Sequence, residues 1–133
     1  MRLRSAVPLL RIFDIDRAYG FYLDYLGFHL DWEHRFDATA PRYLQVGRGA
    51  CVLHLTEHHG DCCPGATVRV PMEGLAAYHR EIAGRDYPFL RPGIARMPWG
   101  EDVLEVVDPF GNRLRFCEPA EDDGPASPGA SRG

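Results

Sequence analysis

The stretch Asp14-Ile15-Asp16-Arg17-Ala18-Tyr19-Gly20-Phe21-Tyr22, with Leu26-Gly27-Phe28 closing it, decides the fold because the apolar period changes across it. Apolar side chains at 15, 18, 19, 22 and 26 lie on one face of a 3.6-residue repeat, Asp14 is placed to cap the helix, and Gly27 is placed to stop it. From Phe28 the period becomes two. Leu30, Trp32, His34 and Phe36 share one side and Asp31, Glu33 and Arg35 the other, which predicts a strand with one buried face.

Upstream, the mostly apolar run from Ala6 to Phe13 predicts a strand. Downstream, strands are expected near Arg42–Val46 and Cys51–Thr56, with Gly47-Arg48-Gly49 as a hairpin signal between them. After the polar stretch from Glu57 to Gly65 the order restarts. Ala66–Val70 reads as a strand, and Met72–Gly84 as a helix with Leu75, Tyr78, His79 and Ile82 at helical spacing. Arg85–Pro98 is expected to be irregular because Pro88, Pro92 and Pro98 interrupt it. Glu101–Val107 and Asn112–Cys117 then make two strands joined by the turn-forming Asp108-Pro109-Phe110-Gly111. The reading is an α+β domain over 1–119 built from tandem β-α-β-β-β modules, about 5–57 and 65–118, whose curved sheet leaves a concave, cleft-like face. The last fourteen residues, from Ala120 to Gly133, carry no large apolar side chain and are expected to be a disordered tail.

With 133 residues, 45% hydrophobic and 26% charged, the composition suits one globular domain. A net charge of −4 argues against a partner held by phosphate neutralisation, so no nucleic acid is expected. No apolar run approaches the roughly 18–20 residues of a bilayer crossing, and no membrane partner is expected. Cys51, Cys62, Cys63 and Cys117 follow no disulfide spacing, and the N-terminus lacks a secretory pattern; a reduced, cytoplasmic protein is expected. His58-His59-Gly60-Asp61-Cys62-Cys63 offers metal-capable side chains, but no second cluster exists to complete a zinc site, and it reads as an exposed loop.

Leu10-Arg11-Ile12-Phe13-Asp14, Phe21-Tyr22, Leu26-Gly27-Phe28 and Asp108-Pro109-Phe110-Gly111-Asn112, in this order over Ser5 to Glu118, resemble the vicinal oxygen chelate superfamily. That group holds glyoxalase I, extradiol dioxygenases and bleomycin-resistance proteins. Ser5-Ala6-Val7-Pro8-Leu9-Leu10 and Pro98-Trp99-Gly100-Glu101 are similar to its bleomycin-resistance branch. The resemblance implies that the metal-ligand positions of the family's enzymes fall on Val7, His54, Ala66 and Arg115, of which only His54 can bind a metal. A divalent ion that orients a substrate needs several such ligands, so neither cofactor nor metal is expected, and no catalytic residue is assigned.

The same resemblance implies a cleft shared by two subunits that takes a planar aromatic, cationic compound, with Asp31, Trp32, Trp99, Gly100 and Gly111 at the matching positions and Phe36 close to the second aromatic one. It also implies a homodimer whose N-terminal strand, around Pro8, exchanges between protomers. His34 and His54 are candidate wall residues of the cleft. Glu105 and Arg115 lie opposite each other about the Asp108–Gly111 turn and are either a cross-strand pair or ligand contacts. The expected activity is metal-independent sequestration of a bleomycin-type small molecule. The alternative is a lyase, isomerase or dioxygenase of this fold acting on a small metabolite.

Overall fold

The computed structural model describes residues 1–35, 37–88 and 90–121. The element order is β1 (Leu9–Arg11), α1 (Ile15–Ala18) continuing as the π-helix π1 (Tyr19–Tyr25), β2 (His29–His34), β3 (Tyr43–Arg48) and β4 (Cys51–Thr56). The order then repeats as β5 (Thr67–Pro71), α2 (Leu75–Ala83), β6 (Ile94–Met97), β7 (Glu101–Val107) and β8 (Arg113–Pro119). This is the expected α+β tandem of β-α-β-β-β modules, arranged as two four-stranded sheets ordered β1-β4-β3-β2 and β5-β8-β7-β6. The described residues divide into two compact units, 1–66 with 107–113, and 67–106 with 114–121.

In the first unit β1 lies parallel to β4 and the remaining pairs are antiparallel. Leu10, Leu44, Val46, Leu53 and Leu55 alternate onto one face and are buried together with Phe21, Tyr22, Tyr25 and Leu26 of the helix. Asp14 caps α1 through its Oδ1, which accepts the Arg17 N–H at 3.0 Å. The helix ends at Gly27, whose φ of 77° lets the Phe28 N–H reach back to the Tyr22 carbonyl at 2.9 Å. The hairpin between β3 and β4 turns on Gly49-Ala50, with Arg48 opposite Cys51.

The turn after β7 ties the first unit together. Asp108 is buried, and its Oδ1 accepts the N–H groups of Phe110 and Asn112, both at 2.8 Å. Its Oδ2 accepts the Tyr22 hydroxyl at 2.6 Å and the Asn112 side-chain amide at 2.8 Å. That same amide reaches the Arg11 carbonyl, and Asn112 Oδ1 accepts the Ala66 N–H. The Asp-Pro-Phe-Gly-Asn motif is thus a hub for β1, the helix and the segment leading to β5.

In the second unit Leu75, Tyr78 and Ile82 of α2 pack on the buried side of the sheet, with Tyr78 edge-on to Phe116 at 5.0 Å. Glu118 caps α2 from β8, its two carboxylate oxygens accepting the N–H groups of Gly74 and Leu75, each at 3.1 Å.

Three sequence expectations are corrected. β2 is exposed along its whole length, Trp32 at 42%, as an outer strand of its sheet with only one neighbour, β3. Phe36, placed on the same expected buried face, lies outside the described residues. β6 exists within the segment expected to be irregular: Pro92 and Pro98 lie outside Ile94–Met97 and bound the strand. The second half of the first helix is π rather than α. Of the expected tail, Ala120 is held by a hydrogen bond to the Gly100 carbonyl, and residues 122–133 lie outside the described residues. Among the described residues no helix is long and apolar enough to cross a membrane.

Candidate ligand-binding site

The face of the first sheet turned away from its helix carries every second residue of β2, β3 and β4. Register puts Trp32 opposite Gln45, Gln45 opposite His54, and His34 opposite Tyr43. Trp32 lies nearly parallel to Tyr43, with ring centroids 6.0 Å apart and planes 12° apart. His54 stands edge-on to both rings, at 5.3 Å from Trp32 and 5.1 Å from Tyr43. The result is an aromatic platform, built where a sheet without a covering helix leaves flat rings accessible.

A hydrogen-bonded relay runs through the platform. The Tyr43 hydroxyl donates to His54 Nδ1 at 2.6 Å, and His54 Nε2 donates to Gln45 Oε1 at 2.9 Å. Gln45 Nε2 donates to Asp31 Oδ2 at 2.8 Å, and His29 Nε2 lies 3.0 Å from Asp31 Oδ1. Since the Gln45 amide nitrogen is committed to Asp31, its oxygen faces His54 and requires the Nε2–H tautomer. Burial holds the His54 pKa below its ordinary value, in keeping with a neutral ring. Burial, with the negative charge of Asp61 and Cys62 nearby, raises the Tyr43 pKa and keeps its proton available for donation.

Asp31 sits where the β2–β3 register slips, between Leu30 and Trp32. That bulge turns its carboxylate onto the platform face. Gly47 makes room for it: a Cβ there would meet Asp31 Oδ2 at 3.2 Å.

The remaining expected residues fall elsewhere. Trp99 is 60% exposed in the turn between β6 and β7, where its indole N–H donates to Glu101 Oε1 at 2.9 Å. Arg69 grips Glu101 with two hydrogen bonds, at 3.1 and 2.6 Å, and with Trp99 holds its pKa at about 2. The indole is therefore anchored at its polar edge and open on its faces. Gly100 and Gly111 are turn residues with φ of 84° and 90°. Glu105 and Arg115 form the cross-strand pair, Arg115 Nε donating to Glu105 Oε1 at 2.8 Å. Asp31, Trp32, His34 and His54 thus share one sheet face, while Trp99 and the Glu105–Arg115 pair lie in the second unit.

The donor set does not fit a metal. Of the positions implied by the resemblance, Val7, Ala66 and Arg115 supply no ligand, and both ring nitrogens of His54 are engaged. Among the described residues no three His, Cys, Asp or Glu side chains converge on a common point. In the loop after β4, Asp61 turns back to accept the Thr56 hydroxyl at 2.7 Å. Sequence reasoning missed Tyr43, Gln45, His29 and Gly47. Counting symmetrically about Gly49-Ala50 would have set Gln45 opposite His54.

A family model described as glyoxalase superfamily protein matches residues 1–123. The chain belongs to the glyoxalase superfamily. Among solved structures it is similar to a bleomycin-binding protein complexed with bleomycin, at 25% identity and a TM-score of 0.63, covering 87% of this chain and 98% of that one. It shares its fold with a bleomycin resistance determinant encoded on the transposon Tn5, at 23% identity and a TM-score of 0.66, covering 88% and 98%. It also shares it with TnmS3, an antibiotic binding protein from Streptomyces sp. CB03234, at 22% identity and a TM-score of 0.62, covering 90% and 100%. No curated protein sequence matches the chain at a significant level.

Proposed function

We propose that this chain is a homodimeric binding protein that sequesters a planar, cationic small molecule of the bleomycin type without altering it. The observation that carries the reading is the stack of the exposed Trp32 on the half-buried Tyr43 with the Asp31 carboxylate on the same face. Flat rings supply stacking of about 0.5–1.5 kcal/mol per aromatic pair beyond area burial, and attract cations through their faces. Asp31 supplies the opposite charge. The 25% identical bleomycin-binding protein supports this ligand class. His54, the base that a lyase or isomerase would call upon, has both ring nitrogens engaged by Tyr43 and Gln45, which favours binding over turnover.

The dimer rests on the N-terminal strand. Within one chain the Pro8 carbonyl accepts the His54 N–H at 3.0 Å and Leu9 lies opposite His54. β1 has only three residues, so its exchange with a second copy keeps the same ladder and brings the exchanged strand beside the platform.

Bleomycin titrated into the chain with tryptophan fluorescence as the readout tests the reading. Saturable quenching at micromolar drug is expected, weakened in Trp32→Phe and in Trp99→Phe, with Asp31→Asn about tenfold weaker in affinity. No quenching, or the same binding curve in all three variants, contradicts it.

A further inference from the structure

A second site stands apart from the aromatic platform. β1 and β4 run parallel, β3 runs against β4 and β2 against β3, so the ends of β1, β2 and β4 and the start of β3 meet at one edge of the sheet. Each delivers one charged residue: Arg11 closes β1, Arg35 follows β2, Arg42 precedes β3 and Glu57 follows β4. They line a cavity of about 400 Å³ whose other wall is apolar, with Ile12, Phe13 and Pro41.

The charges are unequally matched. Glu57 Oε1 is taken by the Arg42 main-chain N–H at 2.8 Å, and the Arg42 side chain lies 3.8 Å from Glu33. Arg11 has only its Nε on the Ile12 carbonyl, at 3.4 Å, and its guanidinium over the Phe13 ring at 4.5 Å. Among the described residues neither Arg11 nor Arg35 is in a salt bridge. Two guanidinium groups without a salt-bridge partner thus face a concave site to which Glu57 contributes a carboxylate already turned to the Arg42 main chain, in a chain whose net charge is −4. Guanidinium forks match carboxylate and phosphate oxygens two at a time, and a concave wall focuses their field.

We propose that this cavity binds a small organic oxyanion, a phosphate monoester or carboxylate whose apolar body rests on Phe13 and Pro41. The site is separate from the bleomycin-type reading, and its success or failure is independent of it.

Amide NMR shifts of the full-length chain, titrated with phenyl phosphate, benzoate, inorganic phosphate and neutral benzyl alcohol, test the proposal. Phenyl phosphate or benzoate is expected to move the amides of residues 11–13, 40, 42 and 57 saturably, more tightly than inorganic phosphate. A response to the ester alone assigns phosphate, and one to benzoate alone assigns carboxylate. Arg11→Gln and Arg35→Gln should each weaken binding by about tenfold or more at an unchanged melting temperature, and added salt should weaken it further. Arg35→Glu, on a residue outside helix and strand, should abolish it. Absent shifts, equal binding of benzyl alcohol, tightest binding of inorganic phosphate, or indifference to the three variants would overturn it.

Discussion

His54 shows how far single residues could be read. Its identity as a wall residue was evident from strand alternation, but its state is set by Tyr43 and Gln45, which look like ordinary strand residues until the hairpin register is known. A hydroxyl donated to Nδ1 favours the neutral ring, so Tyr43→Phe should raise the His54 pKa, measured by imidazole NMR titration. Burial depresses the folded-state value below the unfolded one of about 6.5, so the contribution of His54 to stability is fully present above that pH. It is lost as pH falls through the lower folded value. Melting temperatures from pH 7.5 to 5 should therefore decline less in His54→Gln than in the parent chain. Trp32 was singled out for its chemistry, yet it was expected to lie on a buried face; its exposure follows from strand position, which local alternation does not encode.

Among the elements, the limits of the first helix and the two hairpins were legible because capping residues, glycines and period changes are local signals, whereas α2 starts at Leu75 and not at the expected Met72, its first N–H groups being capped from β8. The π-helical half of the first helix was not legible, because the same apolar positions satisfy either winding. Gly20, within it, has open space where a Cβ would stand and ordinary backbone angles. Gly20→Ala should stabilise the fold by about 0.4–1 kcal/mol in urea unfolding. The Asp108 turn was recognised as a motif, but its tie to Tyr22, 86 residues away, is a tertiary fact. Tyr22→Phe leaves one buried carboxylate oxygen short of a donor and should cost about 1–3 kcal/mol by the same measurement. Glu118→Ala removes the cap of α2 and should cost about 1–2 kcal/mol.

For the whole molecule, the β-α-β-β-β tandem could be read because element order alone defines it, whereas pairing between chains leaves no periodic trace. The proposed exchange of the N-terminal strand predicts a sedimenting mass near twice the 15.0 kDa of one chain, and a monomer when residues 1–11 are removed. The central claim is that a planar cationic ligand is held on the Trp32–Tyr43–His54 platform and released unchanged. Equilibrium dialysis against metal-free bleomycin, followed by denaturation and mass spectrometry of the recovered drug, tests it most directly. The account predicts retention of the drug by the protein at micromolar concentration and an unaltered ligand mass. No retention, or recovery of the drug with a changed mass, would contradict it.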